Sequence, residues 1–477
     1  MDIKNGTVRT RFPPSPTGWL HVGNARALLF NYIWSRKHNG EVVLRIEDTD
    51  RERSRKEFED DIIEELKWLG LTWDEFYRQS DRLDIHTAYL QKLLDSGKAF
   101  YCAHTKEELE AEHNEQVVQK AVPRHICAHR NEGREAGIIR LRNDTTGPLS
   151  FADMIRGNIS FEAELLGDIS IARELNSPLY NFVVVVDDAE MRISHIIRGE
   201  DHIPNTPKQM LVQQALGFSV PAYAHMPLLL GSDRSKLSKR HGNTAVRDYR
   251  EAGYLPEALL NFLALLGWNP GTDQELYTLE ELIQEFSLEK VQKSGAIFNE
   301  EKLDWINHVY IQKLPPEELA AKLVPFLEQA GKLVPPEILQ RIVRVEAPRI
   351  TKLADIREHV SLYIETPSYD PVLLQWKGAQ DDTEITTHLG EVRKILCDIH
   401  EETFLGVDTL EKALMPYAAT QGKGNVLWPL RVALSGRDTS PGPFELIYVL
   451  GKEETLQRID NALHTLSLRA QRSNPEK

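Results

Sequence analysis

Apolar residues at Ala25, Leu28, Leu29, Tyr32 and Ile33 recur at helical spacing and predict a helix opening just after His21-Val22-Gly23-Asn24. Before it, Val8–Phe12 reads as a short strand. It is cut off by Pro13-Pro14-Ser15-Pro16-Thr17-Gly18, which continues neither a strand nor a helix. Val42–Ile46 is the next strand and ends in Glu47-Asp48-Thr49-Asp50. Phe58, Ile62, Ile63, Leu66 and Leu69 then mark a second amphipathic helix, stopped by Gly70. This strand–helix–strand–helix order predicts a parallel α/β sheet.

Between about Phe100 and Ser177 the pattern shifts to short strands and turns: Gly137–Arg142, Gly147-Pro148, Ile159–Ala163 and Ile169–Arg173. This stretch reads as an insertion in the α/β domain. The continuous apolar run Phe182–Val186 reads as a strand buried on both faces. Ser194–Ile197 follows, then a helix with Thr206 as N-cap, Pro207 at its first position and Gly217 past its end. Ala224–Leu230 reads as one more strand, leading to the loop Gly231–Gly242. Beyond about residue 245 the pattern is helical, as in Pro256–Leu266, Leu279–Phe286, Pro316–Ala330 and Pro336–Val345. In the last third, Thr366–Pro371 and Gln421–Trp428 read as irregular, and the polar tail Arg469–Lys477 as frayed.

Composition narrows the class. A chain of 477 residues, 41% hydrophobic and 27% charged, is neither disordered nor collagen-like, and its length suggests about three domains, or two large ones. Its longest apolar runs are too short to span a bilayer, so no membrane partner is expected. The opening MDIKNGTVRTRF lacks the apolar core of a secretory signal. Three cysteines, Cys102, Cys127 and Cys397, make a disulfide scaffold implausible and fit a reducing, cytoplasmic setting. The net charge of −15 means that any nucleic-acid contact rests on local basic patches.

Four segments carry candidate chemistry. Arg11 to Asn24 places small residues and His21 at a helix start, where backbone N–H groups attract phosphate; Gly18 and Gly23 let a nucleotide approach. Lys236-Leu237-Ser238-Lys239-Arg240 is a basic loop suited to charge developing on phosphate oxygens. Arg198-Gly199-Glu200-Asp201-His202, with Asn205-Thr206, falls at the expected C-terminal edge of the sheet, where open α/β sheets bind ligands. Cys102-x-His104 and Cys127-x-His129 offer four zinc ligands, with His125 competing for the place of His129; Thr105-x-x-Glu108 between them reads as a capping box. Taken singly, each segment also has an ordinary reading as a helix cap, a solvated loop or buried thiols.

Taken together, these strings resemble the bacterial glutamyl-tRNA synthetases, a family of class I aminoacyl-tRNA synthetases. The resemblance runs from about Thr7 to Leu466. It is carried by Arg11–Gly23, Leu44–Asp50, Tyr180-Asn181-Phe182 with Asp187-Asp188, Arg198–His202, Lys236–Arg240, Pro429–Arg437 and Leu450–Glu453. There are departures. Asn24 stands where the class motif has a second histidine, Pro13 replaces a small residue, Leu237 and Arg240 replace methionine and serine, and His104 replaces a cysteine of zinc-bearing relatives.

The resemblance implies an α/β fold: a Rossmann-like parallel-sheet catalytic domain with an acceptor-binding insertion, followed by an all-α stem-contact and anticodon-binding region. The expected bounds are 1–99 and 178–244 for the catalytic halves, 100–177 for the insertion, 245–324 for the stem-contact region and 325–477 for the anticodon-binding region. It implies ATP-dependent activation of L-glutamate and transfer to the 3′ end of tRNA(Glu), with Mg²⁺ accompanying ATP and a monomeric enzyme; one Zn²⁺ in the insertion is expected from the Cys/His spacing and not from the resemblance, since many relatives lack zinc. His21, Lys236 and Lys239 are then catalytic. Pro14, Ser15, Gly18, His21, Gly23 and Lys239 bind ATP. Arg11, Ser15, Glu47, Tyr180 and Arg198 bind glutamate, with Glu47 facing its ammonium and Arg11 the favoured reader of its side chain. Arg349, Lys352 and Arg357 in one basic cluster, and Lys423, Trp428 and Arg431 in another, are the tRNA-binding candidates. The helical last third argues against a glutaminyl-tRNA synthetase and against a truncated relative. The intact lysine loop and His21 argue against a catalytically dead tRNA-binding protein.

Overall fold

The computed structural model describes residues 7–238, 240, 242–376 and 381–473. Residues up to 251, with 255–306, form one compact unit; 252–254, with 307 onward, form a second. Among the described residues no helix is long and apolar enough to cross a membrane.

In the first unit, β1 (Arg9–Phe12), β2 (Glu41–Ile46) and β3 (Glu75–Arg78) run parallel, connected through helices α1 (Val22–Lys37) and α2 (Lys56–Trp68). The turn into β2 requires glycine at position 40, because a Cβ there would collide with the Val8 carbonyl oxygen. Helix α3 (Leu83–Asp95) leads to β4 (Ala99–Cys102), α4 (Lys106–Val118) and β5 (Ile138–Leu141). Then come the hairpin β6 (Pro148–Asp153) and β7 (Gly157–Glu162), β8 (Ser170–Ala172), α5 (Tyr180–Glu190), β9 (His195–Gly199), α6 (Thr206–Leu216) and β10 (Ala222–Met226). Strands β4, β5 and β8 form a small antiparallel sheet, while β6 leaves that stretch to pair in parallel with β10 at Asp153–Tyr223. β9 and β10 are parallel. Ser194 N donates to the Arg9 carbonyl at 3.0 Å, and Arg9 N to Ser194 Oγ at 2.8 Å, so β9 lies beside β1. The strands therefore follow the order β3-β2-β1-β9-β10-β6-β7, reversing direction of assembly between β1 and β9.

Several elements differ from the sequence reading. Phe182–Val186 is not a strand but the middle of α5, with every residue from Phe182 to Asp188 buried. A short apolar run of β-branched residues fits either state, and a helix apolar all round is stable once covered on all sides. Thr206 is not an N-cap but the first residue of α6; its hydroxyl accepts from Arg198 and donates to the His202 carbonyl. Ala224–Leu230 splits into β10 and a two-residue strand Leu229–Leu230, which pairs with Ala296–Ile297; Pro227 lies between.

The second unit contains no strand among its described residues. Helices Pro316–Gln329, Pro336–Glu346, Asp382–Asp398, Val407–Gln421, Lys423–Ser435 and Pro443–Ser473 build it. Gln421–Trp428, read as irregular, is helical apart from a break at Gly422, and helix rather than frayed chain continues to Ser473. Buried Arg458 donates to the carbonyls of Leu362 and Leu434 at 2.6 Å, and to those of Tyr363 and Glu365. It thus satisfies backbone acceptors that would otherwise be buried without donors.

Candidate active site

A cleft of about 490 Å³ opens at the C-terminal ends of β1, β2 and β9, where the strand order reverses. Arg11, Pro14, Ser15, Asn24, Glu47, Tyr180 and Arg198 all line it. The loop after β1 is pinned by backbone bonds: Glu47 N donates to the Pro14 carbonyl and Arg55 N to the Pro16 carbonyl, each at 2.9 Å. Asp61 on α2 accepts from Leu20 N at 3.0 Å. His21 is the N-cap of α1, its Nδ1 accepting from Gly23 N at 3.0 Å. That bond leaves the proton of the neutral ring on Nε2, a donor suited to a phosphate oxygen. A Cβ at Gly23 would crowd His21 Nδ1, whereas one at Gly18 would meet nothing within 4 Å, so Gly18 borders open space.

The arginines under the cleft differ in their partners. Arg45 on β2 is fully buried, donating to Asp188 at 2.7 Å and Glu47 at 3.0 Å; burial disfavours its charge, but these carboxylates and Asp187 more than reverse that. Asp187 accepts from Arg82, Gln79 and His86; despite its burial, His86, Arg45 and Arg82 hold it at about 2. Arg11, 1% exposed, faces Asp188 at 3.5 Å, and its Nη1 has no partner. Arg198, 6% exposed, donates through Nε to His225 Nε2 at 3.1 Å and through Nη2 to Thr206 at 2.8 Å. Its Nη1 is likewise unpartnered. Among the described residues no carboxylate reaches Arg198 within 4 Å, and burial lowers its pKa. Burial raises the pKa of Glu47 against the opposing pull of Arg45. The Tyr180 hydroxyl lies 3.2 Å from His202 Nδ1. His202 is held down at about 4 by burial and by Arg198.

Of the basic loop, Lys236 is 64% exposed at its side chain and donates to Asp201 at 2.8 Å. Arg240 reaches Asp233 at 3.4 Å. Lys239 lies outside the described residues.

Cys102, His104, His125 and Cys127 bring four donor atoms within 4.8 Å of one another. This corrects the expected ligand set: His125 takes the fourth place. His129 instead accepts from Ala103 N at 3.2 Å and stacks on the His104 ring. His125 turns its Nδ1 to Glu112 at 2.5 Å, leaving Nε2 toward Cys102 Sγ at 3.7 Å. The capping box at Thr105 and Glu108 opens α4 beside this cluster.

The tRNA-binding candidates lie in the second unit. Arg349 is exposed beside Glu346, Lys352 sits over the Tyr254 ring, and Arg357 lies over Phe326 and donates to Gln329. Lys423 is exposed at a helix start. Trp428 is less available than its sequence suggests. Its N–H donates to the Leu373 carbonyl, Trp376 packs against it, and Arg431 covers it at 4.6 Å.

The sequence reading left Arg45, Asp187 and Asp188 without roles and missed Asp153 and His225. The first three stand inside motif strings, which was signal enough to single them out. Asp153 and His225 sit in ordinary strand patterns and carry no such signal.

A parallel sheet whose crevice combines a phosphate-ready helix start with a neighbouring lysine loop is the layout of an ATP-using class I synthetase. Residues 7–305 match the family described as tRNA synthetases class I (E and Q), catalytic domain, and residues 318–463 match an anticodon binding domain. The chain is 44% identical to a glutamate–tRNA ligase of Aquifex aeolicus, over 96% of this chain and 99% of that one. It is 41% identical to a glutamate–tRNA ligase of Carboxydothermus hydrogenoformans, over 95% and 99%. A crystal structure of a glutamate tRNA ligase from Elizabethkingia meningosepticum, in complex with its amino acid, superposes with a TM-score of 0.86 at 31% identity, covering 97% of this chain and all of that one. The chain belongs to the glutamate–tRNA ligase family.

Proposed function

We propose that the chain attaches L-glutamate to the 3′ end of tRNA(Glu) in the cleft between β1 and β9, using ATP. The glutamate α-carboxylate attacks the α-phosphorus of ATP and pyrophosphate leaves. A ribose hydroxyl of the terminal tRNA nucleotide then attacks the acyl carbonyl and AMP leaves. Positioning and charge stabilisation do most of this work. Pro14, Ser15, Gly18 and Gly23 shape the nucleotide approach, and His21 presents its Nε2 proton to a phosphate. Lys236 and Lys239 follow the migrating negative charge. Mg²⁺ enters with ATP.

One observation carries the choice of amino acid: two buried guanidinium groups each leave Nη1 unpartnered at the cleft. Arg11 already faces Asp188, whereas Arg198 has only neutral partners. A cation buried without an anion favours an anionic ligand, so Arg198, rather than Arg11, is assigned to the side-chain carboxylate. Glu47 faces the substrate ammonium, and Ser15 and Tyr180 complete the pocket. Glutamine would offer an amide where the guanidinium has only donors, which leaves polar groups unmatched.

The antiparallel stretch within 100–177 is assigned to the acceptor end, 245–324 to the stem and 325–477 to the anticodon. Arg349, Lys352, Arg357, Lys423, Trp428 and Arg431 are assigned to tRNA. The Cys/His cluster fits Zn²⁺ in donor type, number and spacing, with Glu112 orienting His125 from behind. Zinc there would hold β4 and the Cys127 segment together.

The test is activation kinetics for glutamate and glutamine in Arg198→Gln and Arg11→Gln. Arg198→Gln is expected to narrow the glutamate preference the more. An unchanged ratio in both variants would place the specificity elsewhere.

A further inference from the structure

Behind Arg198 stands a chain of buried groups that do not touch the cleft. His225 is the register partner of Arg198 across β9 and β10, and Asp153 ends the next strand, β6. Asp153 and His225 are 4% and 0% exposed. Arg198 Nε lies 3.1 Å from His225 Nε2. A guanidinium only donates, so Nε2 must be the acceptor, and the neutral ring carries its proton on Nδ1. Nδ1 is 2.6 Å from Asp153 Oδ2, which accepts its hydrogen bond.

The carboxylate is itself immobilised. Asp153 Oδ1 accepts from Ile155 N at 3.0 Å and Arg156 N at 2.8 Å, and Oδ2 accepts also from His225 N at 3.1 Å. Thr206 takes Arg198 Nη2. Two of the three guanidinium nitrogens are thus held from behind, and the third is left for the cleft.

We infer that Asp153 and His225 are positioning residues for glutamate recognition: Asp153 fixes the tautomer of His225, and His225 aims Arg198 Nη1 at the substrate carboxylate. This rests on the assignment of Arg198 to that carboxylate. Asp153, Arg198, Arg156, Arg11, His202 and Tyr223, whose ring stacks on it, are the charged or titratable groups facing His225. Burial lowers the pKa of His225 and Arg198 adds to this, against the pull of Asp153, so the ring remains the neutral acceptor that Arg198 needs. Asp153 lies in the stretch that otherwise builds the antiparallel layer, so the pocket is set partly from outside the two catalytic halves.

The experiment is steady-state aminoacylation of tRNA(Glu) by the full chain. His225→Phe keeps the ring volume but removes the acceptor. It is expected to raise KM for glutamate on the order of 10- to 100-fold, the range for a lost hydrogen bond to a charged group, with kcat and KM for ATP unchanged. His225→Gln, whose amide oxygen accepts the Nε proton, is expected to recover most of the loss. The double variant with Arg198→Gln is expected to be no worse than Arg198→Gln alone. Asp153→Asn, which turns an amide nitrogen toward Nδ1 or toward backbone donors, gives a second route and the same direction. A raised glutamate KM in Arg198→Gln with a normal one in His225→Phe and Asp153→Asn overturns this inference alone. A normal glutamate KM in Arg198→Gln overturns the pocket assignment and the inference with it. Parallel losses in kcat and ATP KM without rescue by glutamine reduce His225 to a structural residue and also overturn it.

Discussion

Val22 donates its backbone N–H to the carbonyl of Thr244 at 2.9 Å. With Val246 N donating to Leu20 at 2.8 Å, this frames a bridge between His21 and Ala245. The helix start assigned above to the nucleotide is therefore stitched to the chain leaving the lysine loop. Two motifs far apart in sequence become one scaffold, which is what in-line phosphoryl chemistry demands of its positioning groups.

Asp61 supports that scaffold by accepting from Leu20 N. Asp61→Ala leaves this buried donor unsatisfied. Stability is expected to fall by about 1–3 kcal/mol and KM for ATP to rise, with KM for glutamate unchanged. Denaturant unfolding and separate substrate titrations check both parts. An unchanged ATP KM would detach Asp61 from the nucleotide loop.

The two lysines of the basic loop are expected to differ. Lys236 already donates to Asp201, so part of its charge is engaged before substrate arrives. For Lys239 the expectation rests on its place in the motif. Lys239→Ala is expected to lower the rate of glutamate activation by roughly 10²–10³, as for other lost preorganised charges, and Lys236→Ala by less. Pre-steady-state activation rates with tRNA present rank them, and the reverse order would contradict the assignment.

Metal content discriminates between the two histidines. The purified protein is expected to carry about one zinc per chain. His125→Ala and Cys102→Ser should lose it, while His129→Ala should keep it, because His129 lies outside the donor cluster. Elemental analysis after metal-replete expression reads the outcome directly. Retention in His125→Ala with loss in His129→Ala would restore the spacing-based ligand set.

Acid sensitivity is expected from His195 at the start of β9. Burial, with His38 adding to it, lowers its pKa from 6.5 to about 4. A folded-state pKa below the unfolded one means stability present above pH 6.5 and lost as pH falls from 6.5 toward 4. The full shift corresponds to an effect on the order of 3 kcal/mol. The denaturant midpoint should fall less across this window in His195→Asn than in the unmodified chain. Equal falls would show that other groups dominate.

The parallel sheet, its crevice and many of the residues lining it were legible because each rests on local signals. Proline and glycine break the chain after β1, and charged residues interrupt apolar strands at Glu47 and Arg198. Helix α5 was not legible. Four consecutive valines favour a strand locally, and only burial on every side, a tertiary fact, makes a helix of them. The Cys/His cluster was half legible: spacing selected both cysteines and His104. Choosing His125 over His129 depends on how the turn before Cys127 folds back onto Glu112. His225 and Asp153 acquire meaning only from strand register, which no single strand's sequence encodes.

Helix α5 also acts as a ruler. Tyr180 at its start faces the cleft, while Asp187 and Asp188 near its end neutralise the arginines below, seven and eight positions on. At about 100° per residue, seven positions return Asp187 nearly to the face of Tyr180, while Asp188 stands about 80° round from it. The apolar run between them is thus constrained in length more than in composition. A branched aliphatic can replace another there at modest cost, but gaining or losing one residue would swing the aspartates about a quarter-turn away, leaving buried Arg11 without its facing carboxylate and Arg45 with Glu47 alone.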